Sequence, residues 1–295
     1  MKKWTPHIML LSANLIYAIN YSVAKDVMPD FIRPFGFIFL RVSVATVCFW
    51  ILSLGVKEKV EKKDFKLLFW GGITGVAINQ LFFFAGLNLT SPINASVLMI
   101  FTPVLVLIFS ALIRKTSISA RKITGIILGF VGAGGLILNS SKSTLSVSNP
   151  WGDLMIFLNA ASYAVFLVIT RPLMIKYHPL TVVKWVFLFG LIPVSIAGWR
   201  EFGMIQWHSM PSVILAETVF VVLGTTVLAY FLNLTALRYV SSSVVAVYIY
   251  SQPLLAGWIA VTMGKDFLTI SKILLGLIVI TGVVLATGSF NKVTD

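Results

Sequence analysis

Uninterrupted apolar runs dominate this chain. Ile100 to Ile113 and Ile273 to Gly288 carry no charged residue, and similar stretches follow one another along all 295 residues. About 20 apolar residues in a helix cross a bilayer. The bilayer core offers no water to satisfy a peptide backbone, so only helices and closed barrels span it. A barrel strand alternates apolar and polar residues, and Ile100 to Ile113 shows no such alternation. Windows of about 19 residues, ended at charges, Pro and Ser clusters, predict ten spans near 7–24, 34–55, 67–88, 93–113, 123–139, 151–171, 182–199, 211–235, 242–263 and 270–288. Composition agrees: 58% of residues are hydrophobic and 11% charged, against about 45–50% and about 25% in soluble domains. What lies between the spans is too short for a soluble catalytic domain, so an enzyme is not expected.

The net charge of +13 would point to nucleic acid in a soluble protein. Here it reads as orientation. If the spans alternate, sixteen of the 23 Lys and Arg fall on the side of the N-terminus, the largest cluster being Lys57, Lys59, Lys62, Lys63 and Lys66. The positive-inside rule then puts both termini in the cytoplasm of a multi-pass protein of the cell (inner or plasma) membrane. No folded basic domain is present to bind nucleic acid. Lys2 and Lys3 ahead of an apolar stretch, with Ser22-Val23-Ala24, resemble a cleavable signal, but Asn14, Tyr17, Asn20 and Tyr21 interrupt the apolar region, and an uncleaved first span is expected. Cys48, the only cysteine, excludes an intramolecular disulfide.

The chain repeats itself. A shift of 150 positions matches Leu87 with Leu237, Ser91 with Ser241, Val97 with Val247, Pro103 with Pro253, Lys115 with Lys265, Lys122 with Lys272 and Gly132 with Gly282. A shift of 146 matches Met9 with Met155, Tyr17-Ala18 with Tyr163-Ala164, and Lys25 with Arg171. Residues 1–139 and 151–295 are then two five-span repeats joined by 140–150. Five is odd, so the second half enters the membrane from the opposite side. The expected fold is an all-α integral membrane protein with ten transmembrane helices in two inverted five-helix repeats, an architecture typical of secondary transporters with the site at the repeat interface.

The segment Tyr17-Ala18-Ile19-Asn20-Tyr21-Ser22-Val23-Ala24-Lys25 resembles the first-helix pattern of EamA-type transporters in the drug/metabolite transporter superfamily. Arg41, Ala85-Gly86-Leu87 leading through Ser91 to Pro103, and Thr235-Ala236-Leu237 leading to Pro253 extend the resemblance over essentially the whole chain. It implies export or exchange of small metabolites such as amino acids, without ATP. Tyr17 stands where that family often has Trp.

Polar side chains in a span are costly unless they face the bundle interior or water, and residues three, four or seven apart share a helical face. Such faces are Asn14, Tyr17 and Tyr21; Asn79 and Gln80, continuing as Phe83 and Phe84; Asn159, Tyr163, Phe166 and Thr170; Thr226, Tyr230 and Asn233; and Tyr248 with Gln252. As a set they predict an amide and aromatic cavity for a small organic molecule. For any single residue an interhelical hydrogen bond of about 0.6 kcal/mol is the competing explanation. Pro103 and Pro253 are expected to kink equivalent spans and to serve as gates. Arg41, inside a span, either attracts an anionic substrate group or snorkels to the helix end, the second being the first reading. Lys184 beside Trp185 reads as an interfacial anchor. Glu217 is the one acid placed within a span, a candidate for proton coupling. Gly125 and Gly129, with Gly132, Gly134, Gly135, Gly276 and Gly282, suit close helix packing inside one chain, so an oligomer is not required.

Three histidines, one cysteine and no HExxH or CxxC spacing predict no metal site, and no GxxxxGK[ST] pattern supplies a built-in ATPase. No cofactor is expected; the partners are the lipid bilayer and a small-molecule substrate. The sequence reads as a secondary transporter that exports or exchanges small polar or zwitterionic metabolites by alternating access. The rival is a membrane-embedded lipid-handling protein or enzyme.

Overall fold

The computed structural model describes residues 4–90, 92–115, 118–138, 149–262 and 269–287. Among these there is no strand. The α-helices are α1 (Thr5–Val27), α2 (Pro34–Leu52), α3 (Phe65–Gly72), α4 (Asn79–Leu89), α5 (Pro92–Met99), α6 (Thr102–Arg114), α7 (Ala120–Leu138), α8 (Pro150–Lys176), α9 (Pro179–Phe202), α10 (Ser212–Val219), α11 (Tyr230–Leu237), α12 (Ser242–Val247), α13 (Ser251–Thr262) and α14 (Ile270–Thr287). Two π-helical segments, Ile73–Ile78 and Phe220–Ala229, join α3 to α4 and α10 to α11 into continuous rods. A 3₁₀ segment, Tyr248–Tyr250, joins α12 to α13.

Each expected span coincides with a helix or a joined pair. Among the described residues seven runs are long and apolar enough to cross a membrane: Thr5–Val27, Pro34–Leu52, Lys62–Leu89, Val97–Arg114, Pro150–Lys176, Pro179–Phe202 and Ser212–Leu237. Ser242–Ala256 and Ile270–Ala286 are apolar but shorter over the described residues. The chain is therefore an all-helical, multi-pass membrane protein. The linker 140–150 lies outside the described residues apart from Asn149 and Pro150.

Proline starts many of these helices, where its missing N–H costs nothing; Pro6, Pro34, Pro150 and Pro179 all stand in a first turn. Other ends are capped across the bundle. Glu201 Oε2 accepts from Phe35 N (2.8 Å) and Gly36 N (3.0 Å), placing a carboxylate at the positive end of α2. Lys25 Nζ donates to Leu87 O (2.9 Å) and Asn88 O (3.2 Å), a cation at the negative end of α4.

Packing follows the repeat. α7 lies against α14 and α2 against α9, each helix meeting its own counterpart; α4 on α8 is mirrored by α1 on α11, and α6 on α8 by α1 on α13. The self-paired helices run antiparallel. Phe49 meets Phe187 (ring centroids 4.9 Å) near one end of α2 while Phe39 meets Phe202 (5.2 Å) near the other. On α7, Gly125 faces Ala286 and Gly132 faces Val279. The Gly125–Gly129 motif thus packs inside the chain, as the sequence suggests.

Two expectations are corrected here. Pro103 does not kink a continuous span: α5 ends at Met99, and Pro103 stands in the first turn of a new helix after a break at Ile100 and Phe101. Pro253 likewise stands in the first turn of α13, just after the 3₁₀ segment. A proline has no N–H to offer the preceding turn and clashes with it, so regular α winding is interrupted just ahead of each proline, by a turn before Pro103 and by a 3₁₀ segment before Pro253.

Candidate functional site

Where the two repeats meet, side chains from both line one cavity. α1 contributes Asn14, Tyr17, Asn20 and Tyr21; α2 contributes Arg41; α4 contributes Asn79, Gln80, Phe83 and Phe84; and α5 contributes Met99. From the second repeat come Asn159 and Tyr163 of α8, Thr225 of the π segment, Tyr230 and Asn233 of α11, Val245 of α12, Ile249 of the 3₁₀ segment and Gln252 of α13. The lining is amide and aromatic with a single charge, Arg41.

Hydrogen bonds across the repeats hold these groups in place. Gln252 Nε2 donates to Asn14 Oδ1 (2.8 Å), and Asn14 Nδ2 donates to Leu10 O (2.8 Å). Thr225 Oγ1 donates to Asn20 Oδ1 (3.2 Å). Asn233 Nδ2 lies 3.4 Å from the hydroxyls of both Tyr17 and Tyr163, the two tyrosines matched by the repeat. Asn159 Nδ2 donates to Asn79 O (2.6 Å), and Tyr230 donates its hydroxyl to Gly75 O. Both of these acceptors belong to the wide turn around Ile73–Ile78. A π segment disturbs the regular ladder and leaves backbone groups to be satisfied elsewhere, and in a membrane only protein partners can do it.

The π segments sit at equivalent places in the two repeats; the second lends Thr225 to the cavity, and the first ends just before Asn79, which lines it. Gly75 explains one of them: a Cβ there would lie 2.3 Å from Phe166 Cδ2. The absent side chain lets the Phe166 ring close against the rod, with Tyr163 and Tyr230 flanking it at 5.9 and 6.2 Å.

A profile of one transporter family matches the chain twice, over residues 4–138 and 150–288. The chain belongs to the EamA-like transporter family. This transporter is 23% identical over 292 residues to "Uncharacterized transporter YyaM" of Bacillus subtilis (strain 168), covering 98% of this chain and 95% of that one. It is 28% identical over 301 residues to an "Uncharacterized transporter" of Archaeoglobus fulgidus, covering 97% and 98%. A solved crystal structure, 16% identical and matched over 96% of each chain, superposes with a TM-score of 0.75 and speaks for the fold alone.

In this EamA-like transporter, ten of the eleven residues predicted as substrate contacts line the one cavity: Asn14, Tyr17, Tyr21, Asn79, Gln80, Asn159, Tyr163, Tyr230, Asn233 and Gln252. Tyr248 does not. Its hydroxyl is 2.6 Å from His7 Nδ1, and Ile249 takes the cavity position. The sequence argument assumed α-helical winding, in which Tyr248 and Gln252 share a face; in the tighter 3₁₀ turn residues three apart eclipse, so Ile249 aligns with Gln252. The same error of winding hid Thr225. The π segment turns Thr226 away, where its Oγ1 donates to Val221 O five residues back (3.0 Å), and turns Thr225 inward. Asn20 was within reach of periodicity, three residues after Tyr17. Met99 and Val245 carry no polar signal.

Arg41 also departs from its first reading. It does not snorkel: it is 2% exposed, Nε donates to Thr226 Oγ1 (2.8 Å), and its guanidinium lies 4.1 Å over the Phe84 ring. Thr226 and the two rings bind it more closely than the distant helix end can. Lys184, in contrast, lies 5.1 Å from the Trp50 ring, beside Trp185, as an anchor would. Glu217 on α10 is not part of the lining, and its buried Oε2 has no hydrogen-bond partner among the described residues. No cluster of three or more His, Cys, Asp or Glu suited to a metal occurs among the described residues.

Proposed function

We propose that this EamA-like transporter crosses the bilayer ten times, with both termini in the cytoplasm of a cell or inner membrane, and exports or exchanges small polar or zwitterionic, amino-acid-like metabolites by alternating access. The observation that carries this reading is the cavity: it lies between two repeats whose equivalent helices run antiparallel, and amides and tyrosines from both repeats line it. Two inverted halves can exchange conformations about a site at their interface, opening it first to one side and then to the other. The lining amides supply donors and acceptors to fix a polar group, and the tyrosine and phenylalanine faces receive an organic body. The break before Pro103 and the 3₁₀ turn before Pro253 are the joints at which the fourth and ninth spans swing as gates. Excess Lys and Arg in the loops 56–66 and 114–122 support the orientation.

Flux in reconstituted liposomes across a metabolite panel tests the reading. Counterflow of at least one small metabolite is expected, and Tyr163→Ala and Gln252→Ala are each expected to weaken apparent affinity by about tenfold, the worth of about 1.4 kcal/mol of lost contact. Folded protein that moves nothing under any gradient would leave the lipid-handling alternative. Glu217 is the proton-coupling candidate, acting from outside the cavity. Transport by Glu217→Gln with an unaltered pH dependence removes that role.

A further inference from the structure

The charge inside the cavity is unbalanced. Among the described residues eighteen line it, of which Arg41 alone is ionised; no Asp, Glu, His or Lys is among them. No ion pair involving Arg41 occurs among the described residues. A cation held 2% exposed, seven residues into α2 or about 10 Å along its axis, is expensive unless an opposite charge meets it.

The way Arg41 is held leaves a defined part of it free. The Nε edge is engaged by Thr226 Oγ1, and the flat face is covered by Phe84 at 4.1 Å with Phe37 at 5.7 Å. Nη1 is buried and has no hydrogen-bond partner among the described residues. A guanidinium fixed at one edge and one face presents its remaining N–H groups as a rigid fork, and that fork matches the two oxygens of a carboxylate. The same wall carries apolar surface from Phe83, Met99, Val245 and Ile249. Nothing in the wall carries a negative charge to receive an ammonium group.

We propose that Arg41 docks the carboxylate of the transported molecule, and that the preferred substrates are small organic monocarboxylates of net charge −1 with an apolar or aromatic body. This rests on the carrier reading above and narrows it: the α-amino group of a zwitterion gains no ionic partner in this cavity and loses its hydration. Thr226 acts as a positioning residue, holding the guanidinium so that the fork faces inward.

Matched probes that differ only in charge test the proposal on the full chain: phenylacetate, phenylacetamide, phenylalanine and phenethylamine, with 4-methylpentanoate and leucine as an aliphatic pair. Binding is read by thermal shift of the purified protein and by competition in liposome counterflow. Phenylacetate and 4-methylpentanoate are expected to bind at least tenfold more tightly than the amide, the zwitterions and the amine. Arg41→Gln is expected to erase that preference, whereas Arg41→Lys keeps the charge, loses the fork and retains part of it. Thr226→Val is expected to weaken carboxylates and leave the amide unchanged. If Arg41→Gln does not fold, the matched probes on the unaltered protein and on Arg41→Lys decide. Acid and amide binding equally well would make Arg41 a packing residue and overturn the proposal alone. Transport of zwitterions with no advantage for the monocarboxylates would do the same. Failure of every probe, charged or neutral, to bind or to move overturns the carrier reading and the proposal with it.

Discussion

At the scale of single residues, the cavity amides divide into those that hold the fold and those that are free to hold a ligand. Asn159 and Tyr230 satisfy carbonyls of Asn79 and Gly75 beside a π segment, whereas the Asn233 amide nitrogen makes only long contacts to two tyrosines; the Oδ1 of both Asn159 and Asn233 has no partner among the described residues. Losing one partner of a buried hydrogen bond leaves the other unsatisfied, at about 1–3 kcal/mol. Asn159→Ala and Tyr230→Phe are therefore expected to lose about that much stability, read as earlier thermal unfolding in detergent. Asn233→Ala is expected to melt within about 0.5 kcal/mol of the unaltered protein and to show its effect in apparent substrate affinity. Equal destabilisation by all three would remove the distinction. This division was not legible in the sequence. Asn14, Asn159 and Asn233 declare themselves by being polar in a membrane span, but whether each serves backbone or ligand depends on a π turn in another helix.

At the scale of elements, the apolar helices and the duplication were written in apolarity and spacing, whereas changes of winding were not. Ile73–Ile78 and Phe220–Ala229 are apolar stretches like their neighbours, and their π turns accompany how the rods pack: Gly75 against Phe166, Thr226 against the Val221 carbonyl and Arg41. A reading at 100° per residue consequently misplaced Tyr248 and missed Thr225 and Ile249. Glycines, by contrast, were legible as close approach. The α7–α14 contact is nearly backbone to backbone: a Cβ on Gly282 would lie 2.4 Å from Gly129 N, and one on Gly125 2.4 Å from Ala286 N. Backbone cannot step aside as a side-chain tip can, so Gly282→Ala is expected to cost about 1–3 kcal/mol. Gly276→Ala, on the same helix, would meet only Leu254 Cδ1 at 3.4 Å, and is expected to be neutral or mildly stabilising through helix propensity. Thermal unfolding of the two variants side by side is the measurement; similar losses would mean that the α7–α14 seam is not set by close approach.

At the scale of the whole molecule, the repeat makes two junctions equivalent, but the residues there are of opposite character. Where α8 turns into α9, Lys176 Nζ reaches Asp64 Oδ2 and Glu61 Oε1, each at 2.6 Å. The Tyr177 hydroxyl donates to Asp64 Oδ2 (2.6 Å) and accepts from Glu61 N (3.0 Å), and His178 N donates to Glu58 Oε2 (2.9 Å). Where α1 turns towards α2, at the equivalent place, Met28 and Ile32 are buried in the main core, as is Met210 of the α9–α10 connection. One junction is tied by a cluster of ion pairs, the other by apolar contact and the single Glu201 carboxylate that caps Phe35 N and Gly36 N. Hydrogen bonds from Lys176 and then Lys63 hold the Glu61 carboxyl below the ordinary carboxylate range. A carboxyl lowered on folding contributes its full stabilisation above the unfolded value of about 4.3 and loses it only as pH falls through the lower folded value. The ionic tie is therefore expected to be constant from about pH 5 to 8 and to weaken as pH falls below the unfolded value. The melting-temperature difference between the unaltered protein and Glu61→Gln should shrink along that acid limb, and a difference that does not shrink there would exclude the tie as its source. Alternating access requires the two junctions to part in turn, and Asp64→Asn weakens only one of them. Hydrogen exchange followed by mass spectrometry is expected to quicken in peptides spanning 56–64 and 177–181, where the amides of Glu61 and His178 lose their tethered partners, and to stay unchanged at 28–33 and 203–211. Equal quickening at both junctions would mean that they are coupled as one rigid frame, leaving the halves no independent faces to open.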